Sequence, residues 1–277
     1  ADVAMYQAKA AGRNTARFFD PAMQPAPETR AELEKSLRQG LINNEFLLHY
    51  QIQVNGTGQI MGVEALVRWN HSKLGLISPA AFIPMAEETG IIQPLGQWVL
   101  ETACEQLVAW ADHQERRYWT MSVNVSAAQF ALPDFSAKVA AALQKTGVNP
   151  ALLKLEITES MLLHNLDDVI VKMNNIRSLG VTFALDDFGT GYSSLSYLKR
   201  LPLNQLKIDR SFVNDLLTDP HDAAIAKTVV ALGHSLNLVV IAEGVESAEQ
   251  FEFLTNIGCD GYQGYHFGKP TQPDSLP

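Results

Sequence analysis

The sequence predicts an α/β fold, a (β/α)8 TIM-like barrel whose first strand runs antiparallel to the second. Three observations carry this. Eight strand-like runs, most of them separated by helical stretches, follow one another between Phe46 and Phe267. The first two are joined by a short turn containing GTG, which makes them an antiparallel pair. The chain has 277 residues, 47% of them apolar, and so can build one large barrel core. The competing architecture, a doubly wound open sheet, has no GxGxxG or P-loop sequence behind it.

The chain opens on a short helical stretch and a strand-like FF, then PAMQPAPE, with three prolines in eight residues, reads as a linker. Residues 1–27 are therefore expected to be the tail of a preceding domain, and 28–277 the barrel. Leu33, Leu37 and Leu41 recur every four residues, a helical stripe. FLLHYQIQV and QIMGVEALVRW are the two hairpin strands. Ser78 and Pro79 give an N-cap followed by proline at the first helical position, and a longer helix runs from Pro94 to Trp110. After these, strand WTMSVNVS precedes a helix from Pro133 to Lys145. Strand LLKLEITE precedes a helix from Leu166 to Leu179, closed by Gly180. VTFALDD, a short helix in SSLSYLKR, NQLKID, a helix over Ala223–Leu236, LNLVVIAE, a helix from Ala248 to Ile257 and CDGYQGYHF complete the series. The later strands read as nearly continuous apolar runs, as parallel strands covered by helices should.

A net charge of -9 argues against a protein that grips a nucleic-acid polymer by general attraction, so a phosphate-bearing substrate would need local cations. Cys104 and Cys259 are too few for a disulfide framework and fit no zinc spacing, which points to reduced thiols and a cytoplasmic location. No run is long and apolar enough for a membrane span, and no signal peptide is recognisable. Any membrane anchor would belong to other parts of a longer protein.

In such barrels the chemistry sits at the C-terminal ends of the strands. Those ends carry Glu64, Asn124, Glu156, Asp186 with Asp187, Lys207, Glu243 and Gln263. A lone strand-end aspartate is usually a helix cap, but a polar residue on strand after strand is a pattern. Several carboxylates aimed into one barrel mouth repel each other unless some stay protonated or a cation binds. Oxygen donors and one amide, without Cys or His, suit Mg²⁺ or Mn²⁺, and the adjacent Asp186 and Asp187 could serve a two-metal site of the kind that cleaves phosphodiesters. Lys207 and Arg68 are then the nearby cations, to orient water or hold phosphate. The competing reading is a buried ion-pair network that plugs the barrel.

EALVRW, NVS, EITES, DDFGTGYSSL, KID, EGVE and QGYHFGKP, in this order, resemble the EAL domain family over about residues 29–270. The resemblance implies a barrel with an antiparallel first strand and metal-dependent hydrolysis of cyclic di-GMP to linear pGpG. It implies that Glu64, Asn124, Glu156 and Asp186 hold one metal, that Asp187 holds the second with Asp186 between the two, and that Lys207 contacts the catalytic water. Glu243 is similar to the family's general base or metal partner. Leu66, Arg68 and Gln263 look like substrate contacts, and Glu246 like a supporting residue. DDFGTGYSSL resembles a loop coupling metal binding to dimerisation, with Gly189 and Gly191 supplying unusual backbone angles and Glu159 anchoring it. Ca²⁺, which accepts looser geometry than a two-metal reaction tolerates, is expected to bind and inhibit, and the resemblance implies a homodimer. A catalytically silent cyclic di-GMP receptor is the alternative. His266 stands where an apolar residue is expected and carries no assigned role. ADVAMYQAKAAGRN resembles the last helix and turn of a GGDEF domain.

Overall fold

The computed structural model describes residues 27–277 apart from Ser160, 162–165 and 190–194, with the backbone alone at 27–30, 195 and 196. The expected GGDEF remnant, most of the DDFGTGYSSL loop and Gly191 lie outside the described residues. The described residues divide into two compact units, one comprising those up to Phe46 together with Trp69–Ile91, the other Leu47–Arg68 and Ile92–Pro277.

In the first unit, helix Pro27–Ile42 buries Leu37 of the predicted stripe. Phe46 stacks on Trp69 at 5.6 Å between ring centroids, Phe82 closes on Trp69 edge-on at 5.8 Å, and the Trp69 indole donates to Glu45 at 3.0 Å. Pro79 opens helix Pro79–Glu88 as expected, but Ser78 makes no side-chain cap.

The second unit is the barrel. Its strands are β1 (Phe46–Asn55), β2 (Ile60–His71), β4 (Thr120–Asn124), β5 (Leu153–Thr158), β6 (Thr182–Phe188), β7 (Gln205–Ile208), β8 (Val239–Ala242) and β9 (Gly261–Gln263); the short β3 (Gly75–Ile77) pairs with the end of β2 inside the first unit. The order β1-β9-β8-β7-β6-β5-β4-β2, with β1 also pairing β2, closes the ring. β1 is antiparallel to both neighbours, and β2 and β4–β9 are parallel. The hairpin turn is set by Asn55, whose Oδ1 accepts from Thr57 N at 2.9 Å and Gln59 N at 3.0 Å, with Gly58 at φ 78°.

The strands differ from the expected continuous apolar runs. Outward residues such as Met121, Leu155, Ile157, Phe183, Leu206 and Ile208 are buried and apolar. The alternate, inward residues include Ser122, Lys154, Glu156, Gln205 and Lys207. The period of two therefore separates a greasy outer face, packed under helices such as Ile92–Ala109 and Phe135–Thr146, from a polar barrel lumen.

Candidate functional site

Lys207 is the centre of the lumen. It has no exposed surface and follows Leu206 on β7, whose outer face is pinned in the core. Its Nζ lies 2.5 Å from Glu156 Oε2, 3.4 Å from Asp186 Oδ1 and 3.8 Å from Glu64 Oε2, and it also pairs with Glu243 Oε1. Burial alone would make this amine easier to deprotonate. The surrounding Asp186, Glu156, Glu243 and Glu64 outweigh that and hold it well above the usual lysine range. The ion-pair network weighed from sequence is thus present, with one ammonium facing four carboxyl groups.

Three carboxyls in this region are pushed toward their neutral forms. Burial, aided by Glu64 and Asp186 and opposed by Lys207, pushes Glu156 up to about 7. Burial and Asp186 push Glu243 well above the ordinary carboxyl range. Asp187, next on the chain, is pushed up to about 7 by burial, Asp186 and Asp209. Glu156 Oε1 is buried and has no hydrogen-bond partner.

Glu64 is held by amides. Asn124 Nδ2 donates to its Oε1 at 2.6 Å, and Gln263 Nε2 to its Oε2 at 2.5 Å. Gln263 in turn accepts from Gln53 at 2.9 Å and donates to Gln51 at 3.1 Å. Among the described residues no three acids, imidazoles or thiols already form a metal cage, and the ammonium of Lys207 stands between Glu64, Glu156 and Asp186.

Asp186 and Asp187 sit on a bulge. Leu185 faces Leu206 and Phe188 faces Ile208, so β6 carries one residue more than β7 between those pairs. Asp187 takes φ 54°, a left-handed conformation that costs about 1 kcal/mol in an L-residue, and its N–H donates to Asp186 Oδ1 at 2.9 Å. Gly189 follows at φ 97°, where a Cβ would meet the Phe212 ring at 2.9 Å.

A cleft of about 280 Å³ opens over these groups, and Glu64, Leu66, Arg68, Asp186, Glu243, Glu246 and Gln263 all line it. Arg68 is half-buried and donates to the carbonyl of Val67. Asn124 and Glu246 are exposed, and Glu159 is buried at the end of β5. Sequence reasoning missed Gln51, Arg210 and Tyr265, which line the same cleft, and Asp209, although KID had flagged its segment. It also missed Lys154, inward and below Glu156, which donates to Gln205 and is pulled down to about 8 by burial. Lys207 and Arg68 are therefore not the only cations near the site.

The EAL domain family profile matches residues 34–270. The chain is 46% identical over its whole length to the bifunctional diguanylate cyclase/cyclic di-GMP phosphodiesterase MucR of Pseudomonas aeruginosa, covering 40% of that protein. It is 41% identical to the cyclic di-GMP phosphodiesterase NbdA of the same organism, with 98% of this chain and 34% of that protein covered. The solved structure of the MucR phosphodiesterase in complex with c-di-GMP superimposes with a TM-score of 0.86 at 46% identity, over 89% of this chain and all of that one. The chain thus spans well under half the length of these full-length relatives.

Proposed function

The chain belongs to the EAL domain family, and from that membership we propose that it hydrolyses a phosphodiester bond of cyclic di-GMP to give linear pGpG, with Mg²⁺ or Mn²⁺ as cofactor. The names and the ligand complex of its relatives support the substrate. The observation that carries the metal is the orphaned, buried Glu156 Oε1 among oxygen donors. An unpaired buried carboxylate oxygen is costly unless something cationic completes it.

Glu64, Asn124, Glu156 and Asp186 would hold one ion, and Asp187 a second shared with Asp186. These are oxygen donors of the hardness Mg²⁺ and Mn²⁺ prefer. Bound there, the metal supplies a lowered water pKa and compensates charge on the reacting phosphate. The chain's own residues do the rest. Lys207, kept protonated by its four neighbours, donates to the attacking water and is no base at neutral pH. Glu243 is held above the ordinary carboxyl range by burial and Asp186, which suits it to take up a proton or return it during turnover. Arg68, on the cleft wall, offers a fork of donors to a phosphate oxygen.

Incubating the chain with cyclic di-GMP and Mg²⁺ is expected to yield pGpG. Tight binding with no pGpG would instead establish a receptor. Ca²⁺ is expected to bind and to inhibit, because its looser coordination suits the acids but not an in-line reaction. Turnover with Ca²⁺ alone equal to that with Mg²⁺ would contradict this.

The raised carboxyls also set a pH dependence. Glu156 and Asp187 titrate near 7 in the folded chain, above their ordinary values of 4.5 and 3.8. Their contribution to stability is complete below pH 4 and is lost as pH rises through 7. With chelator present, the thermal midpoint is expected to fall by on the order of 5 °C between pH 5.5 and 8, and Mg²⁺ should recover most of that loss. A chelated protein whose midpoint rises over this range would refute the charge assignment.

A further inference from the structure

Two guanidinium groups line the cleft, Arg68 on β2 and Arg210 at the head of helix Arg210–Asn214. Arg210 is exposed and, among the described residues, has no carboxylate partner. Its backbone is nevertheless held tightly. Asp209 Oδ1 accepts from Ser211 N at 3.0 Å and so caps the helix. Gln250 Nε2 donates to Val213 O at 3.0 Å and Asn214 O at 3.3 Å, while its Oε1 accepts from Glu246 N at 2.8 Å and Ser247 N at 3.1 Å. One buried glutamine thereby ties this helix to the segment following β8. The fit is close enough that a Cβ on Gly244 would come within 2.6 Å of Arg210 Cβ. A free cationic side chain on a fixed backbone is a preorganised anion contact.

The charge pattern says what the contact is for. A cyclic dinucleotide brings two phosphodiesters, and only one is cut. Of the cleft-lining acids, Glu64 and Asp186 belong to the proposed metal site that serves the phosphodiester being cut, while Glu246 is none of its ligands and repels the other one. Lys207 cannot offset that repulsion, because its charge is already shared among four carboxyl groups. Arg68 and Arg210 are the cleft-lining cations left over. Resting on the phosphodiesterase reading above, we propose that Arg210 holds the phosphodiester of cyclic di-GMP that is not cleaved, and so selects substrates with two phosphates.

The test compares cyclic di-GMP with bis(p-nitrophenyl) phosphate, a diester with a single phosphate, using the 277-residue chain with Mg²⁺. In Arg210→Gln the ratio of kcat/KM for cyclic di-GMP to that for the single-phosphate diester is expected to fall at least about tenfold, as for loss of a charge-assisted hydrogen bond. The fall should appear in KM more than in kcat, and Arg210→Glu should fall further. A ratio unchanged in both variants, or a loss confined to kcat, overturns the proposal. If the wild-type chain binds cyclic di-GMP without cleaving it, the phosphodiesterase reading fails by itself. Arg210 is then judged by the dissociation constants of wild type and Arg210→Gln for cyclic di-GMP. A difference of at least about tenfold supports the contact, and equal constants overturn it.

Discussion

Lys207→Met is expected to destabilise the metal-free protein by about 3–5 kcal/mol at pH 8 and to cut turnover of cyclic di-GMP by on the order of 10²–10⁴. Methionine keeps most of the volume, so the loss is electrostatic and leaves little cavity. It leaves Glu64, Glu156, Asp186 and Glu243 without the ammonium that they share. The penalty should shrink at pH 5.5, because Glu156 and Glu243 hold their protons unusually well and can neutralise themselves. Urea unfolding of both proteins at the two pH values measures this. A cost independent of pH would mean that Lys207 matters through packing alone. Substrate affinity measured in Ca²⁺ should change far less than turnover, and equal losses would make Lys207 a phosphate anchor.

Glu64→Ala is expected to lower metal-dependent turnover at least about 10³-fold while leaving a folded protein. Glu64 accepts from Asn124 and Gln263 and faces Lys207, so its loss disorganises one side of the proposed metal site. Folding is less affected, because removing one of four crowded acids relieves repulsion as it opens a small gap. Initial rates at saturating Mg²⁺, with thermal midpoints beside them, separate the two effects. A variant that keeps more than a tenth of the wild-type rate would remove Glu64 from the mechanism.

Much of the barrel was legible because its outer faces are apolar and its strand ends are not. The hairpin followed from GTG, and the end of the helix that starts at Leu166 from Gly180, which does take φ 102°. β3 was missed because three residues carry no period, and helix Arg210–Asn214 because five residues carry little more. The polar lumen was underestimated at β5 and β7. KLEI and QLKI alternate, yet their charges read as strand-end features until Lys154 and Gln205 met across the lumen. The order of the strand-end residues was visible in one dimension. Lys207 as their hub was not, since nothing in spacing shows that four strands aim their acids at one ammonium. Arg210 and Tyr265 follow strand ends by a few residues and look like ordinary surface until the cleft is assembled.

The pairing of β1 with β9 has a consequence for synthesis. Gln53 and Gln263, bonded across this seam, are 210 residues apart, so the ring cannot shut until the last strand has left the ribosome. Loop closure over such a distance is slow and is reached late. Gln263 also steadies Glu64, so the act that completes the fold also sets one of its acids in place. A nascent chain stalled before Gly261 would present an open sheet edge on β1 and would lack the Gln263 amide that holds Glu64. The final strand thus completes the ring and places Gln263 against Glu64 in one step.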